Sequence, residues 1–388
     1  MLPDLNPELT ELGNRNLLRR LRCVDRTGGT IVSVEGRECV LFCSNDYLSL
    51  ATHPKLGKAA SVAIDTYGAS SVASALICGH TAAHEQAHEH IADLLGTEGA
   101  LSFPTGYAAN LGAVTALVEK GDTVYSDALN HRSLIDACRL SRADVQVYRH
   151  GDVTHLADLL SRTQGTGRRM IVTDGVFSMD GDLAPLPDLV DLADRSEAIL
   201  LVDDAHATGV FGPTGGGTPD HFGLASRVDV ITTSASKGLG SFGGYIAGSR
   251  SLVDLILNKA ATYIFTSALP PQSCASTVAA VNLVRDEPWR RERLLATAVT
   301  LKSRLRAEGF ETLDSGSQII PLVIGDPAHT VDAAERLFER GIFLLGIRPP
   351  TVPQGLSRLR LSLMTDHTDE QIDQTVGALV EVKQELEI

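Results

Sequence analysis

One lysine in this chain stands where its positive charge is hard to keep. Ser234-Ala235-Ser236-Lys237, followed by Gly238-Leu239-Gly240 and Gly243-Gly244, comes straight after the apolar run Val228-Asp229-Val230-Ile231. Neighbours so small and apolar neither crowd an ε-ammonium nor solvate it, which favours the free amine. An amine held this way is what a Schiff base to a carbonyl compound requires. Taken alone the string is suggestive only, because Ser-x-Ser-Lys occurs by chance in many chains.

A second string upstream supplies the complementary charge. Ala198-Ile199-Leu200-Leu201-Val202 has the wholly apolar texture of a buried parallel strand and ends in Asp203-Asp204-Ala205-His206. Ligands of open α/β sheets bind at the carboxyl ends of strands, so these polar residues are expected to face a crevice. Pyridoxal 5'-phosphate (PLP) needs a lysine for its aldehyde and a carboxylate for its pyridinium nitrogen, which keeps the ring an electron acceptor. Asp203, Asp204 and His206 also have an ordinary reading, as a helix cap, a solvated carboxylate and a loop histidine. The pair of motifs on successive strand ends favours the cofactor.

The elements that must position these residues follow from the pattern. From about Tyr67 to Leu269, short apolar runs alternate with helical segments: Ala100–Phe103, Thr123–Ser126, Val145–Tyr148, Met170–Thr173, Leu200–Val202, Val230–Thr232 and Tyr245–Ala247. The alternation predicts an α/β domain, a mostly parallel sheet flanked by helices. Beyond Pro270-Pro271 come two long helices (about Gln272 to Val284 and Trp289 to Glu308) and the strand Ile319–Ile324. A helix near Val331 to Glu339, strands at Phe343-Leu344 and Arg358–Leu361, and a last helix from Asp369 complete a smaller α+β domain. The expected division is an N-terminal helix and strand segment over 1–50, the PLP-binding α/β domain over 51–285 and the small domain over 286–388, with a hinge near Pro270 to Trp289. The N-terminal helix is expected over Pro3 to Arg22, with Leu9, Leu12 and Asn16 on one face.

Composition excludes other classes. The chain of 388 residues, 43% hydrophobic and 21% charged, is an ordinary globular protein. A net charge of −14 argues against a nucleic-acid binder, and the basic cluster Arg19-Arg20-Leu21-Arg22 is too short to overturn that. The sequence has no apolar segment of membrane-spanning length, and its start, Met1-Leu2-Pro3-Asp4, is unlike a signal peptide. Six scattered cysteines (Cys23, Cys39, Cys43, Cys78, Cys138, Cys274) without Cys-x-x-Cys spacing read as reduced, mostly buried thiols, with no metal site. The expected location is the cytoplasm.

With these residues and this architecture, the chain resembles a fold-type I PLP-dependent transferase and, more narrowly, the α-oxoamine synthases, which condense an amino acid with an acyl thioester and release carbon dioxide. The resemblance runs from about Leu18 to Ile372. It rests on Ser44-Asn45-Asp46-Tyr47-Leu48, Thr105-Gly106-Tyr107-Ala108-Ala109-Asn110-Leu111, Asn130-His131-Arg132-Ser133-Leu134, Gly175-Val176-Phe177-Ser178-Met179-Asp180-Gly181-Asp182 and Ile264-Phe265-Thr266-Ser267-Ala268-Leu269-Pro270-Pro271. Ile347-Arg348-Pro349-Pro350-Thr351-Val352-Pro353, followed by Ser357-Arg358-Leu359-Arg360-Leu361, is most like the members that join L-alanine to a pimeloyl thioester in biotin biosynthesis. Aminoketobutyrate ligases and aminolevulinate synthases carry different strings there. The chain departs from the family at Ala75, where an arginine is usual, and at Ser234, where threonine is favoured.

The resemblance implies roles. Lys237 would bond the cofactor and then act as the base at the amino acid Cα, Asp203 would pair with the ring nitrogen, and His206 would hydrogen-bond the 3-hydroxyl oxygen. His131 would stack on the ring and touch the substrate carboxylate. Gly106 and Tyr107 open a helix after a strand, so their N–H groups suit a phosphate, with Ser178 and Ser234 as hydroxyl partners. Thr266 and Ser267 would reach the phosphate of a neighbouring subunit, implying a homodimer with an interfacial active site. Arg360 suits the substrate α-carboxylate through bidentate bonding. Arg19 and Thr351 match acyl-substrate contacts, and Asn45 is a substrate or supporting contact. The close alternative is the same chemistry on glycine and acetyl-CoA; an aminotransferase and a PLP-binding protein without activity are more distant. The acyl carrier, coenzyme A or acyl carrier protein, stays open.

Overall fold

The computed structural model describes residues 3–388, apart from the side chains of residues 26–28; Met1 and Leu2, part of the N-terminal reading above, lie outside it. The chain divides into two compact units. The larger comprises Asp46–Ser178 and Asp182–Arg293; the smaller comprises the chain up to Asn45, Met179–Gly181 and Leu294–Ile388.

The larger unit is built on a seven-stranded sheet. In chain order its strands are β1 (Gly99–Phe103), β2 (Thr123–Asp127), β3 (Asp144–Tyr148), β4 (Arg169–Asp174), β5 (Ala198–Asp203), β6 (Val230–Ser234) and β7 (Gly244–Gly248). Their spatial order is β1-β7-β6-β5-β4-β2-β3. The pairs β6-β5, β5-β4, β4-β2 and β2-β3 are parallel, and β7 alone runs antiparallel to its neighbours β1 and β6. Every residue of β1, β2, β6 and β7 is buried, the signature of a sheet covered on both faces. β3, at one edge, is mostly half-exposed or exposed. Helix α1 (Gly106–Leu117) is apolar around most of its circumference and packs with Leu101, Phe103, Val230 and Ile246 in one core cluster. Helix α2 (Arg132–Ser141) buries Leu134, Ala137 and Cys138 in the same cluster.

The smaller unit holds two sheets. One pairs Val24–Gly28, Ile31–Val34 and Arg37–Leu41 antiparallel and adds Ile342–Phe343 in parallel. The other places Ser357–Ser362 between Ile319–Gly325 and Leu345–Ile347, all antiparallel. Helices Pro327–Glu339 and Asp369–Leu386 accompany them.

The N-terminal helix is shorter than its leucine spacing suggests, covering Asn6–Asn14 only. Leu9 and Leu12 are both exposed, so no packing extends it, and Asn16 adopts a left-handed conformation (φ 54°) that ends the run. All six cysteines are free: Cys39, Cys138 and Cys274 are buried, Cys43 is half-buried, and Cys23 and Cys78 are exposed.

Candidate active site

The strand ends of the larger unit converge as the sequence implies. Register sets Asp174, the last residue of β4, beside Asp203, the last of β5, and Asp203 beside Thr232 of β6. Asn110 of α1 links them. Its Nδ2 donates to Asp203 Oδ2 at 2.5 Å and to Ser133 Oγ at 2.8 Å, while its Oδ1 accepts from Thr232 Oγ1 at 2.6 Å. The backbone N–H of Ala205 donates to the other Asp203 oxygen at 3.1 Å. A carboxylate held by two donors has one orientation, which is what a charge partner for a ring nitrogen needs.

Asp204 does not follow its ordinary reading as a solvated carboxylate. It is fully buried rather than solvated, and accepts from Thr218 Oγ1 at 2.5 Å and Thr218 N–H at 3.0 Å. Burial pushes its carboxyl up to about 7. Gly217 (φ +90°) is required there, since a Cβ would fall 1.5 Å from Asp204 Oδ2. His206 is buried, with its Nδ1 2.6 Å from Tyr47 Oη.

His131 caps α2. Its backbone N–H donates to Asp174 Oδ2 at 3.0 Å, and its ring Nδ1 lies 2.7 Å from Ser133 Oγ. Burial lowers its pKa below the usual histidine value, the Asp203 charge opposes that and the Lys237 charge adds to it, so the three groups feel one another. Burial likewise raises Asp174 well above the carboxylate range, reinforced by Asp203 and opposed by Lys237. Lys237 is half-buried in the turn after β6. Three backbone bonds close that turn: Ala235 N–H to Gly243 O at 2.9 Å, Gly240 N–H to Lys237 O at 2.9 Å and Ser241 N–H to Ala235 O at 2.8 Å.

The start of α1 forms the anion end. Thr105 Oγ1 accepts from Ala108 N–H at 3.1 Å, and the first N–H groups of any helix lack partners within it. A Cβ on Gly106 would approach Ser234 Cβ to 3.3 Å and Oγ to 3.7 Å, so glycine keeps open a cradle between the helix start and the Ser234 hydroxyl. Ser234 Oγ in turn lies 2.8 Å from Ser236 Oγ. The exposed Tyr107 phenol is bonded to Asp136 of α2, which raises its pKa. Ser178, half-buried, lies on the loop after β4. Thr266 and Ser267 line a small cavity with Ser102 and Pro104 beside edge strand β1, and Thr266 Oγ1 donates to Thr262 O at 2.7 Å.

In the smaller unit, Arg360 and Asn45 come together. Arg360 is 8% exposed; its Nη1 donates to Ser362 Oγ at 2.8 Å, and both terminal nitrogens lie 3.3–3.4 Å from Asn45 Oδ1. Arg19 and Thr351 are exposed. Thr351 N–H donates to Arg348 O at 3.1 Å, and burial followed by the Arg19 charge lowers the Arg348 pKa.

Asn110, Tyr47 and Asp174 are functional candidates that residue types alone did not single out. Asn110 had a visible signal, as the single amide in an otherwise apolar helix, Gly106–Leu117. Tyr47 sits in a matched string without a distinguishing partner.

A lysine in a glycine-closed turn, a clamped carboxylate on the next strand, a histidine disfavoured as a cation and an open helix-start cradle fit PLP, and with this sheet they define a fold-type I PLP-dependent transferase. The family model described as aminotransferase class I and II matches residues 37–379. An 8-amino-7-oxononanoate synthase of Geobacter sulfurreducens is 45% identical over 390 residues, all of both chains. Among solved structures, a serine palmitoyltransferase variant from S. paucimobilis with a bound PLP–myriocin aldimine superimposes with TM-score 0.94 at 29% identity, over 99% of this chain and 97% of that one. An 8-amino-7-oxononanoate synthase from Francisella tularensis gives 0.76 at 26% identity, over 90% and 99%. The chain belongs to the class I and II aminotransferase family and, within it, to the 8-amino-7-oxononanoate synthases.

Proposed function

We propose that this protein joins L-alanine to a pimeloyl thioester, carried by coenzyme A or acyl carrier protein, releasing carbon dioxide and the free thiol and leaving 8-amino-7-oxononanoate for biotin biosynthesis. The observation that carries this reading is the full-length likeness to an 8-amino-7-oxononanoate synthase in a chain whose Lys237, Asp203, His131 and His206 are all present. When bound, PLP supplies the electron sink that makes the alanine Cα–H acidic.

The chain's own residues do the rest. Lys237 Nζ would anchor the cofactor, and its free amine would serve as the base for the alanine Cα proton. Asp203, held by Asn110, pairs with the ring nitrogen, His206 bonds the 3-hydroxyl oxygen and His131 covers the ring face. Gly106 and Tyr107 N–H groups with Ser178 and Ser234 hold the phosphate, joined by Thr266 and Ser267 of a neighbouring subunit in a homodimer. Arg360, with Asn45, would grip the alanine carboxylate. Arg19 and Thr351 contact the acyl substrate. The location that goes with this reading is the cytoplasm; no helix of the described residues is long and apolar enough to cross a membrane.

The test is product mass from purified protein with PLP. Formation of 8-amino-7-oxononanoate from L-alanine and pimeloyl-CoA supports the reading. Product only from glycine and acetyl-CoA would move the protein to the aminoketobutyrate ligases.

A further inference from the structure

We infer that His150 is a positioning residue: bridging Asp127 and Asp182, it ties together the two loops that deliver His131 and Ser178 to the cofactor. His150 follows edge strand β3, outside the set of residues given chemical roles. Its Nδ1 lies 2.9 Å from Asp127 Oδ1 and its Nε2 lies 2.9 Å from Asp182 Oδ2. A ring that donates from both nitrogens is an imidazolium, since neutral imidazole has one N–H. Burial alone would depress its pKa, but the hydrogen bonds and charges of the two carboxylates win and carry it up to about 10.

Each carboxylate belongs to a loop of the site. Asp127 ends β2 and is 2% exposed; it also accepts from Leu129 N–H at 2.8 Å and Gly151 N–H at 2.9 Å. The turn it organises continues through Asn130, which donates to Val172 O at 2.8 Å and accepts from Asp174 N–H at 3.0 Å, into His131. On the other side, Asp182 accepts from Phe177 N–H at 3.0 Å through its carbonyl, and Val176 bridges Leu183. The Phe177 ring meets the His150 ring edge-on at 4.4 Å between centroids, and Ser178 is the next residue. A neutral side chain at 150 would leave the buried Asp127 carboxylate without its cation and both loops without their tie.

The inference rests on the proposed cofactor roles of His131 and Ser178, and the experiment separates the two. Holoenzyme with 15N-labelled histidine, its His150 signals assigned by their change in D182N, should show both ring nitrogens protonated at pH 8. A single-tautomer neutral pattern would overturn the bridge. PLP titration and the visible circular dichroism of bound PLP are then measured for H150N, D182N, H131A and S178A, each checked for folding. H150N should bind PLP about tenfold more weakly, with a reduced visible signal, as loss of a supporting partner does at other sites. D182N should move both readouts the same way by less, and it decides the matter should H150N fail to fold. If H131A and S178A weaken binding while H150N and D182N match wild type in both readouts, the positioning role is refuted and the cofactor roles stand. If H131A and S178A also match wild type, the cofactor roles fail and the inference falls with them.

Discussion

The residues proposed to hold the cofactor and those proposed to hold the substrates come from differently built regions. In the larger unit, strand register places Asp174, Asp203 and Thr232 side by side, and a helix amide ties Asp203 to Thr232 and Ser133. Asp203 is held from two sides, by Asn110 and by the Ala205 N–H. In the smaller unit, Arg360 sits on a central antiparallel strand beside Ser362 and Asn45, whereas Arg19 and Thr351 lie on exposed irregular chain. The contrast follows from what each must do. A group that sets the reactivity of a ring must not move, and a buried hydrogen-bonded network fixes it. A group that recognises a substrate tail can be built on a loop, where variation costs the fold little.

The severest way to break the comparison is Lys237→Ala. Removing both anchor and base should abolish the lysine-linked cofactor absorbance and lower turnover at least on the order of 10²–10⁴-fold. A retained lysine-linked band would remove Lys237 from its role. Next is Arg360→Ala, which takes one partner from a charged hydrogen-bonded pair, a loss of about 2–5 kcal/mol. The expected result is a rise in the alanine KM well beyond any change in PLP affinity. Equal loss of PLP binding would mean that Arg360 supports the fold rather than the substrate.

Asn110→Ala sharpens the contrast from inside the network. It strips Asp203 of its 2.5 Å donor and Thr232 Oγ1 of its acceptor. Unsatisfied buried groups cost about 1–3 kcal/mol, which should appear both in thermal stability and as weaker PLP binding. A stability loss with unchanged PLP affinity would show that Asp203 keeps its position without Asn110.

The larger unit was the more legible in sequence, for physical reasons. Strands buried on both faces must be apolar throughout, so runs such as Ala198–Val202 announce themselves and their polar ends mark the crevice. Asp203 was readable because it closes such a run, and Lys237 because it stands in the small-residue turn after another. Tyr47 and the anchoring of Asp204 by Thr218 were not, because partners set by tertiary register leave no local pattern; Asn110 stood out as a lone amide, but its partners did not. The N-terminal helix misled for the opposite reason: Leu9 and Leu12 have helical spacing but nothing to pack against, and spacing without burial does not sustain a helix.

The smallest effect should come from Thr351→Ala. Thr351 is exposed and its backbone N–H, which any residue but proline supplies, makes the bond to Arg348 O. Folding should therefore change by no more than about 0.5 kcal/mol. If the Thr351 hydroxyl contacts the acyl substrate, the KM for pimeloyl-CoA should rise about two- to thirteenfold, the worth of one neutral hydrogen bond of about 0.5–1.5 kcal/mol. The KM for alanine and the PLP affinity should stay as in wild type. That selectivity is the point of the variant: a change confined to the acyl substrate assigns the exposed segment to recognition, whereas a change in PLP affinity would show that the two regions are not separable in the way their construction suggests.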